Sequence, residues 1–316
     1  MKSNFRKGVQ LALATALFSG VANFVNKFAV STADPLVFTT LKNTLVAFIV
    51  IGLLILACKL PKIRSLSRRD IIQLLAIAVI GGSLPFYLFF TALKEMPAIN
   101  AALIHKTLVL WVALLAVPLL RERVSSLQLG AIGLIYSVNL LTGTFKGVSF
   151  QGPELMVLVA TLLWAVENVI AKVTLRRVDP DIVVGARMGL GSLILVLVVI
   201  ILGKGSQLFT FTPQQFSLTL LTSFLLFGYV ATWYRALKLA PVTLVATVLT
   251  SATLVTNLLT GIFVSHTFDL QQFAEAVFVS AGLWFFLTVS RRVLSNSPER
   301  ATVAQANSLS LNAESQ

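Results

Sequence analysis

The stretch that decides the fold is ATALFSGVANFVNKFAVSTADPLVFTTLK at residues 14–42, because it returns as ATLLWAVENVIAKVTLRRVDPDIVVGAR at residues 160–187. Asn23 aligns with Asn168, Lys27 with Lys172, Asp34-Pro35 with Asp179-Pro180 and Lys42 with Arg187, all at a spacing of 145. A second pair follows at 144: ALKEMPAINAALI at 92–104 and ALKLAPVTLVATV at 236–248. Self-similarity at one fixed spacing divides the chain into two related halves.

Both copies lie in unusually apolar surroundings. Of 316 residues 57% are hydrophobic and 12% charged, with mean hydropathy +0.89. A soluble domain carries about 25% charged residues, so a water-facing globule is excluded and a multi-pass membrane protein is expected. Ten apolar runs reach the length that a bilayer core of about 30 Å requires: 9–30, 35–58, 71–93, 98–120, 127–145, 153–175, 182–202, 214–237, 242–264 and 270–289. In hydrocarbon each backbone polar group must pair within its own segment, which makes these runs helices. The first run, with its basic start, also reads as a secretory signal, but its partner at 153–175 identifies it as a span.

Five spans per half is an odd number, so the second half enters the membrane from the other side. The expected fold is therefore all-α and integral to the membrane, with ten helices in two inverted five-helix repeats at 9–145 and 153–290. Residues 1–8 form an N-terminal segment, 146–152 a linker, and 291–316 a polar tail read as disordered. Outside the spans, sixteen Lys and Arg fall on the side of the two termini and three (Lys94, Lys146, Lys204) on the other. The positive-inside rule places both termini in the cytoplasm, of the cell membrane by expectation. The net charge of +13 thus reads as a topology signal and not as a nucleic-acid surface. The single cysteine, Cys58, can form no internal disulfide.

Halves inserted in opposite senses around a midplane site are a recurring plan of secondary transporters. The residues also carry a family likeness. FYLFFTALKEMPAINAALI (86–104), LLRERVSSLQLGAIGLI (119–135) and TWYRALKLAPVTLVATV (232–248) give each half the pattern of an EamA domain, and the chain resembles the drug/metabolite transporter superfamily over residues 9–290. The resemblance implies a ten-helix basket whose cavity is lined by spans one, three, four, six, eight and nine, and a small-metabolite substrate that is commonly exported. Glu122 falls on the acidic position that ends the fourth helix in that family; 144 residues on stands His266, a departure from the pattern.

Ionisable groups at membrane depth cost about 2.5–3.5 kcal/mol on insertion scales, and each needs a reason. His105 and Lys106 lie about 12–14 Å below the start of the fourth span, near the bilayer centre. Lys106 is the first candidate for holding a carboxylate or phosphate; His105 either joins it or hydrogen-bonds a neighbouring helix. The sixth span carries Trp164, Asn168 and Lys172 on one face, with Glu167 adjacent. Asn23 and Asn168 either lock helices together or line the cavity. Glu167, whose counterpart is Ala22, can neutralise Lys106 or another base, carry a coupling proton or hold a substrate amine. Lys27, Lys42 and Arg187 are secondary candidates, with snorkelling to the headgroups or structural pairing as the alternative. Tyr87 and Thr250 complete the candidate pocket, while Trp233 and Tyr234 read as an interfacial belt. Pro85 frees the carbonyl of Gly81 and kinks the third span.

Six Lys or Arg within the spans against Glu167 and Glu275 favour an anionic or amino acid-like solute. No HExxH, CxxC or phosphate-binding glycine loop is present, so no metal, cofactor or enzymatic role is expected. The alternatives are a lipid-modifying enzyme built on His105 with Glu167, or a non-transporting membrane scaffold.

Overall fold

The computed structural model describes residues 2–93, 95–96, 98–142, 152–267 and 270–295. Lys94, Pro97, Lys146, Arg300, residues 146–151 of the link and the tail beyond Ser295 lie outside them. Among the described residues all regular structure is helical. The first two spans are α1 (Lys2–Thr32) and α2 (Pro35–Leu56), followed by a short α3 (Leu60–Arg64). The third joins α4 (Arg68–Ile77) to α5 (Leu84–Ala92) through a π-helical turn at Ala78–Ser83. The fourth is split into α6 (Ala98–Lys106) and α7 (Leu108–Leu120), and the fifth is α8 (Ser126–Thr142). In the second half α9 (Gly152–Thr174), α10 (Pro180–Ile201) and α11 (Pro213–Leu239) are spans six to eight. The ninth is α12 (Val242–Leu249) with α13 (Ala252–Thr260) and a π-helical end at Gly261–Ser265, and the tenth is α14 (Leu270–Ser295). Eight spans are long and apolar enough to cross a membrane, and shorter apolar helices at Ile104–Leu120 and Ser126–Ile135 account for the fourth and fifth. The chain is an all-α membrane protein of two five-helix repeats. Phe48, Leu56, Leu114, Ile201, Leu270 and Trp284 project from its exterior, a surface suited to lipid.

The repeated Asp-Pro is a helix start in both halves. The Asp34 carboxylate accepts the N–H groups of Leu36 and Val37, and that of Asp179 accepts the N–H of Asp181, each with proline at the first helical position. The far ends of these helices match as well. Cys58 and Gly203, again 145 apart, both adopt left-handed backbone, at φ 50° and 70°. Glycine is the usual residue there, and cysteine bears a Cβ penalty.

The residues that follow show how the halves face each other. Lys59 Nζ lies 3.0 Å from Asp179 Oδ1 and 2.5 Å from Asp181 Oδ2. Its counterpart Lys204 lies 2.7 Å from Asp34 Oδ2. The lysine that ends the second span of one repeat thus pairs with the aspartate that starts the second span of the other. One pair sits on the face that carries most of the basic links, here the basic face; the other sits on the opposite face. Two ion pairs exchanged in this way define a two-fold axis in the membrane plane. The hydrogen bond to Asp181 raises the Lys59 pKa, and the bonds from Asp181 N–H and Lys59 outweigh burial to hold Asp179 below the usual carboxylate range.

Glycine lets the seventh span pack closely on both sides. A Cβ on Gly185 would meet Leu54 of α2 at 2.8 Å, whereas one on Gly191 would meet the Gly82 backbone in the π-helical turn at 2.9 Å. Arg187 therefore leaves the Gly185–Gly189 face, as its helical angle requires, and turns toward the third span.

If Lys59→Cys and Lys204→Cys are introduced singly with Cys58→Ser, a membrane-impermeant maleimide will label them from opposite sides of sealed vesicles; labelling from one side only would break the inverted arrangement.

Candidate functional site

Spans four and nine tighten at matching places. The fourth does so at Thr107, just after Lys106; the ninth does so at Thr250–Ser251, and Thr250 lies 144 residues beyond Lys106. Neither turn contains glycine or proline. Hydroxyls make them instead: Thr107 Oγ1 donates to Ile104 O at 2.6 Å, Thr250 Oγ1 to Thr247 O at 2.6 Å and Ser251 Oγ to Val248 O at 2.7 Å. Bonds to the i−3 carbonyl compete with the helix ladder and tighten the turn. The backbone stays right-handed through both places (Thr107 φ −64°, Thr250 φ −59°, Ser251 φ −65°), so each span runs on as the sequence implies and is tightened there rather than unwound. The repeat interface near the bilayer midplane is where such folds bind their solutes.

Polar groups near the turn in the fourth span have partners from several spans. Lys106 Nζ is 3.5 Å from Glu275 Oε1, and Asn257 Nδ2 donates to Glu275 Oε2 at 2.9 Å. The acid opposite Lys106 is therefore Glu275 of the tenth span. His105 Nδ1 is 3.4 Å from Thr161 Oγ1, and its ring meets Trp164 at 4.9 Å and Phe89 at 5.5 Å. Trp164 Nε1 donates at 3.1 Å to Gly81 O, the carbonyl that Pro85 deprives of a helical donor. The expected kink is the π-helical turn, and a tryptophan from the other repeat satisfies it.

Glu167 belongs to a second cluster, toward the basic face. It is 2% exposed, and Tyr234 Oη donates to its Oε1 at 2.5 Å. The Arg187 guanidinium lies 5.9 Å from the Tyr234 ring and 5.6 Å from that of Phe86. Only a residue without a Cβ fits at Gly81, where one would strike the Glu167 side chain at 2.5 Å. Asn168 Oδ1 accepts from Trp233 Nε1 at 3.0 Å. Trp233 and Tyr234 are 3% and 0% exposed, which overturns their reading as an interfacial belt; they are core groups that hold Asn168 and Glu167.

The first half lacks these partners. Phe89, Phe90 and Ala22 stand where the second half has Trp233, Tyr234 and Glu167, and both Asn23 and Lys27 are exposed. Lys42, the counterpart of Arg187, is buried between the rings of Phe38 and Phe90, each 5.1 Å from Nζ. Toward the opposite face a cavity of about 100 Å³ is lined by Asp34, Tyr87, Phe90, Thr91 and Lys204.

On the basic face the corner between spans eight and nine is clamped from two sides. Lys172 Nζ donates to Leu237 O at 2.5 Å and Ala240 O at 2.6 Å, the carbonyls that end α11. Glu122 accepts Val242 N–H at 2.7 Å, Thr243 N–H at 3.2 Å and Thr243 Oγ1 at 2.7 Å, the donors that start α12. A cation on helix-end carbonyls and an anion on helix-start N–H groups both complement the macrodipole. Lys172 thus caps a helix and does not snorkel. The opposite corner differs: Lys27, counterpart of Lys172, has no hydrogen bond or ion pair among the described residues. Arg121 and His266 are both left-handed helix ends, at φ 55° and 52°. Counted from those ends, Thr267 rather than His266 stands opposite Glu122.

The candidates therefore form two groups, His105, Lys106 and Trp164 about the turn in the fourth span, and Glu167, Asn168 and Arg187 toward the basic face; the Thr250 hydroxyl bonds within its own span. His105 and Glu167 do not share a hydrogen bond, which leaves the lipid-enzyme alternative without its pair. Sequence reasoning missed Thr107, Tyr234 and the exchange of Lys59 with Lys204; the last was visible as a further match at spacing 145.

Inverted five-helix repeats define the architecture of a membrane transporter. The chain belongs to the EamA-like transporter family, whose profile matches residues 6–144 and again 152–288. A relative from Methanothermobacter thermautotrophicus, described as an uncharacterized transporter, is 30% identical over 150 residues, which is 45% of this chain and 43% of that protein. A crystal structure of a protein described no further superposes with a TM-score of 0.74 over 90% of this chain and 98% of its own, at 17% identity.

Glu122→Ala leaves the α12 start without its acceptor. Removing a charge-assisted partner from buried donors costs about 1–3 kcal/mol, so thermal unfolding in detergent will shift downward, while Glu122→Gln, which keeps an acceptor, will lose less.

Proposed function

We propose that the protein is a secondary transporter of a small anionic or amino acid-like solute, which it exports across the cell membrane by alternating access, with both termini in the cytoplasm. The observation that carries this reading is the asymmetry of spans four and nine. They pack on each other through α7 and α12, the halves nearest the basic face. There Glu122 and Lys172 close the corner, whereas Asn23 and Lys27 are exposed on the side away from it. An assembly of two inverted halves has two such arrangements related by its pseudo-symmetry, one open to each face, and exchange between them moves a solute. In this reading the conformation is the one closed on the cytoplasmic side.

Six cations against three acids (Glu154, Glu167 and Glu275) within the spans favour solutes that bring a negative charge, and the family likeness supports export. The chain spans less than half of the relative from Methanothermobacter, so the substrate is argued from these residues and not from that protein. No enzymatic step is needed.

Opening the basic face must separate Glu122 from Thr243. In a Cys58→Ser background, joining Glu122→Cys to Thr243→Cys with a short bifunctional reagent will abolish amino-acid and organic-acid counterflow in proteoliposomes. Flux that persists through a complete cross-link would overturn alternating access. Glu167, held by Tyr234 and close to Arg187, is the carboxylate best placed to carry a coupling proton. Glu167→Gln will abolish the dependence of flux on a pH gradient; a dependence equal to that of the unmodified protein would assign Glu167 to structure alone.

A further inference from the structure

Arg187 and Lys42 occupy equivalent positions in the two repeats, yet only the first has an internal carboxylate nearby. Glu167 lies within electrostatic reach of Arg187 without bonding it, and Arg187 Nε and Nη1 have no hydrogen-bond partner; in the other repeat the place of Glu167 is taken by Ala22. Lys42 is 3% exposed, about 12 Å inside the membrane from the start of α2. Its ammonium has the faces of Phe38 and Phe90, and no hydrogen bond or carboxylate among the described residues. Cation–π contacts offset part of the cost of a desolvated charge, but a buried cation without a counter-ion remains expensive.

The same part of α2 carries further unsatisfied groups. Thr39 Oγ1, Thr40 Oγ1 and Asn43 Oδ1 are buried without a hydrogen-bond partner. Asn43 is oriented by its amide, which donates to Gly82 O at 3.4 Å. Thr39, three residues before Lys42, shares its face of α2, whereas Thr40, two residues before, faces away; a hydroxyl donor and an ammonium on one face suit an oxyanion. Access is at hand as well, because Phe90, which covers Lys42, also lines the cavity bounded by Tyr87, Thr91 and Lys204.

We infer that Lys42, with Thr39, is a binding site for the oxyanion head, carboxylate or phosphate, of a small organic solute that enters past Phe90 from the face opposite the basic links. The phenyl rings of Phe38 and Phe90 suit the apolar part of that solute. The site rests on the transporter reading for its purpose but not for its existence, since the ligand supplies the charge that Ala22 does not.

The test uses the full chain purified in detergent, with acetate, benzoate and inorganic phosphate as probes at constant ionic strength, and Lys42→Met, Lys42→Arg and Ala22→Glu as variants. At least one probe will raise the melting temperature of the unmodified protein by about 2 °C or more, as saturating ligands do. Lys42→Met will lose that rise and will itself melt higher than the unmodified protein without probe, because an apolar isostere replaces an uncompensated charge. Lys42→Arg will keep the rise, and Ala22→Glu, which supplies an internal counter-ion, will reduce it. A lower melting temperature for Lys42→Met with the anion response intact would overturn the site, as would no response to any probe in the unmodified protein. Flux separates the two claims. Anion binding with no flux of any probe would sink the transporter reading and leave the site, whereas flux undiminished in Lys42→Met would do the reverse.

Discussion

Hydrocarbon offers no partner to a polar group, and that constraint organises the whole molecule. Each unsatisfied donor or acceptor inside the bilayer costs several kcal/mol, so every departure from plain apolar helix has to be answered from somewhere else in the fold. Pro85 releases a carbonyl and Trp164 of the other repeat takes it up. The ends of α11 and the start of α12 leave orphan groups, and Lys172 and Glu122 satisfy them. Because so many answers come from the opposite repeat, the polar contacts join the halves while the apolar surface meets the lipid. The places where an answer is missing then stand out: Arg187 keeps two nitrogens without a hydrogen bond, and Lys42 has aromatic faces but no carboxylate among the described residues.

The two repeats share a backbone plan but not a charge plan. Helix starts, left-handed ends, tightened spans and cross-repeat ion pairs recur at spacings of 144 or 145. Side chains at the centre do not recur. Glu167, Tyr234 and Trp233 make the second half polar and tightly bonded, whereas Ala22, Phe90 and Phe89 leave the first half apolar at the same places. A symmetric scaffold supplies two related shapes, and unequal side chains decide which is preferred at rest.

Most of the fold could be read from sequence because it depends on patterns with long reach: ten apolar runs, the basic links, and the Asp-Pro repeat that caps two helices. The site was less legible. The tight turns at Thr107 and Thr250–Ser251 carry no glycine or proline, and hydroxyl bonding to i−3 carbonyls has no distinct spacing signature. The partner of Lys106 could not be deduced either, since Glu167 and Glu275 are both carboxylates inside apolar spans and only the packing of α14 brings Glu275 close. Tyr234 and Trp233 sit near a helix end, where depth alone suggests headgroups; their burial follows from the α9–α11 contact. Lys59 and Lys204 were counted as topology signals, and the chain's own spacing would have shown them as a related pair.

Those two lysines also bear on where such a chain comes from. Each ion pair takes one residue from each half, so a lone five-helix unit inserted in both directions would form both with a single lysine and a single aspartate. The contacts that now tie one polypeptide together are those of an antiparallel homodimer. Within one chain the halves are free to differ in their interior while each end is bound to a residue of the other half. A change at Asp34 is felt at Lys204 and a change at Asp179 at Lys59, and the rim of the molecule therefore evolves jointly while its centre specialises.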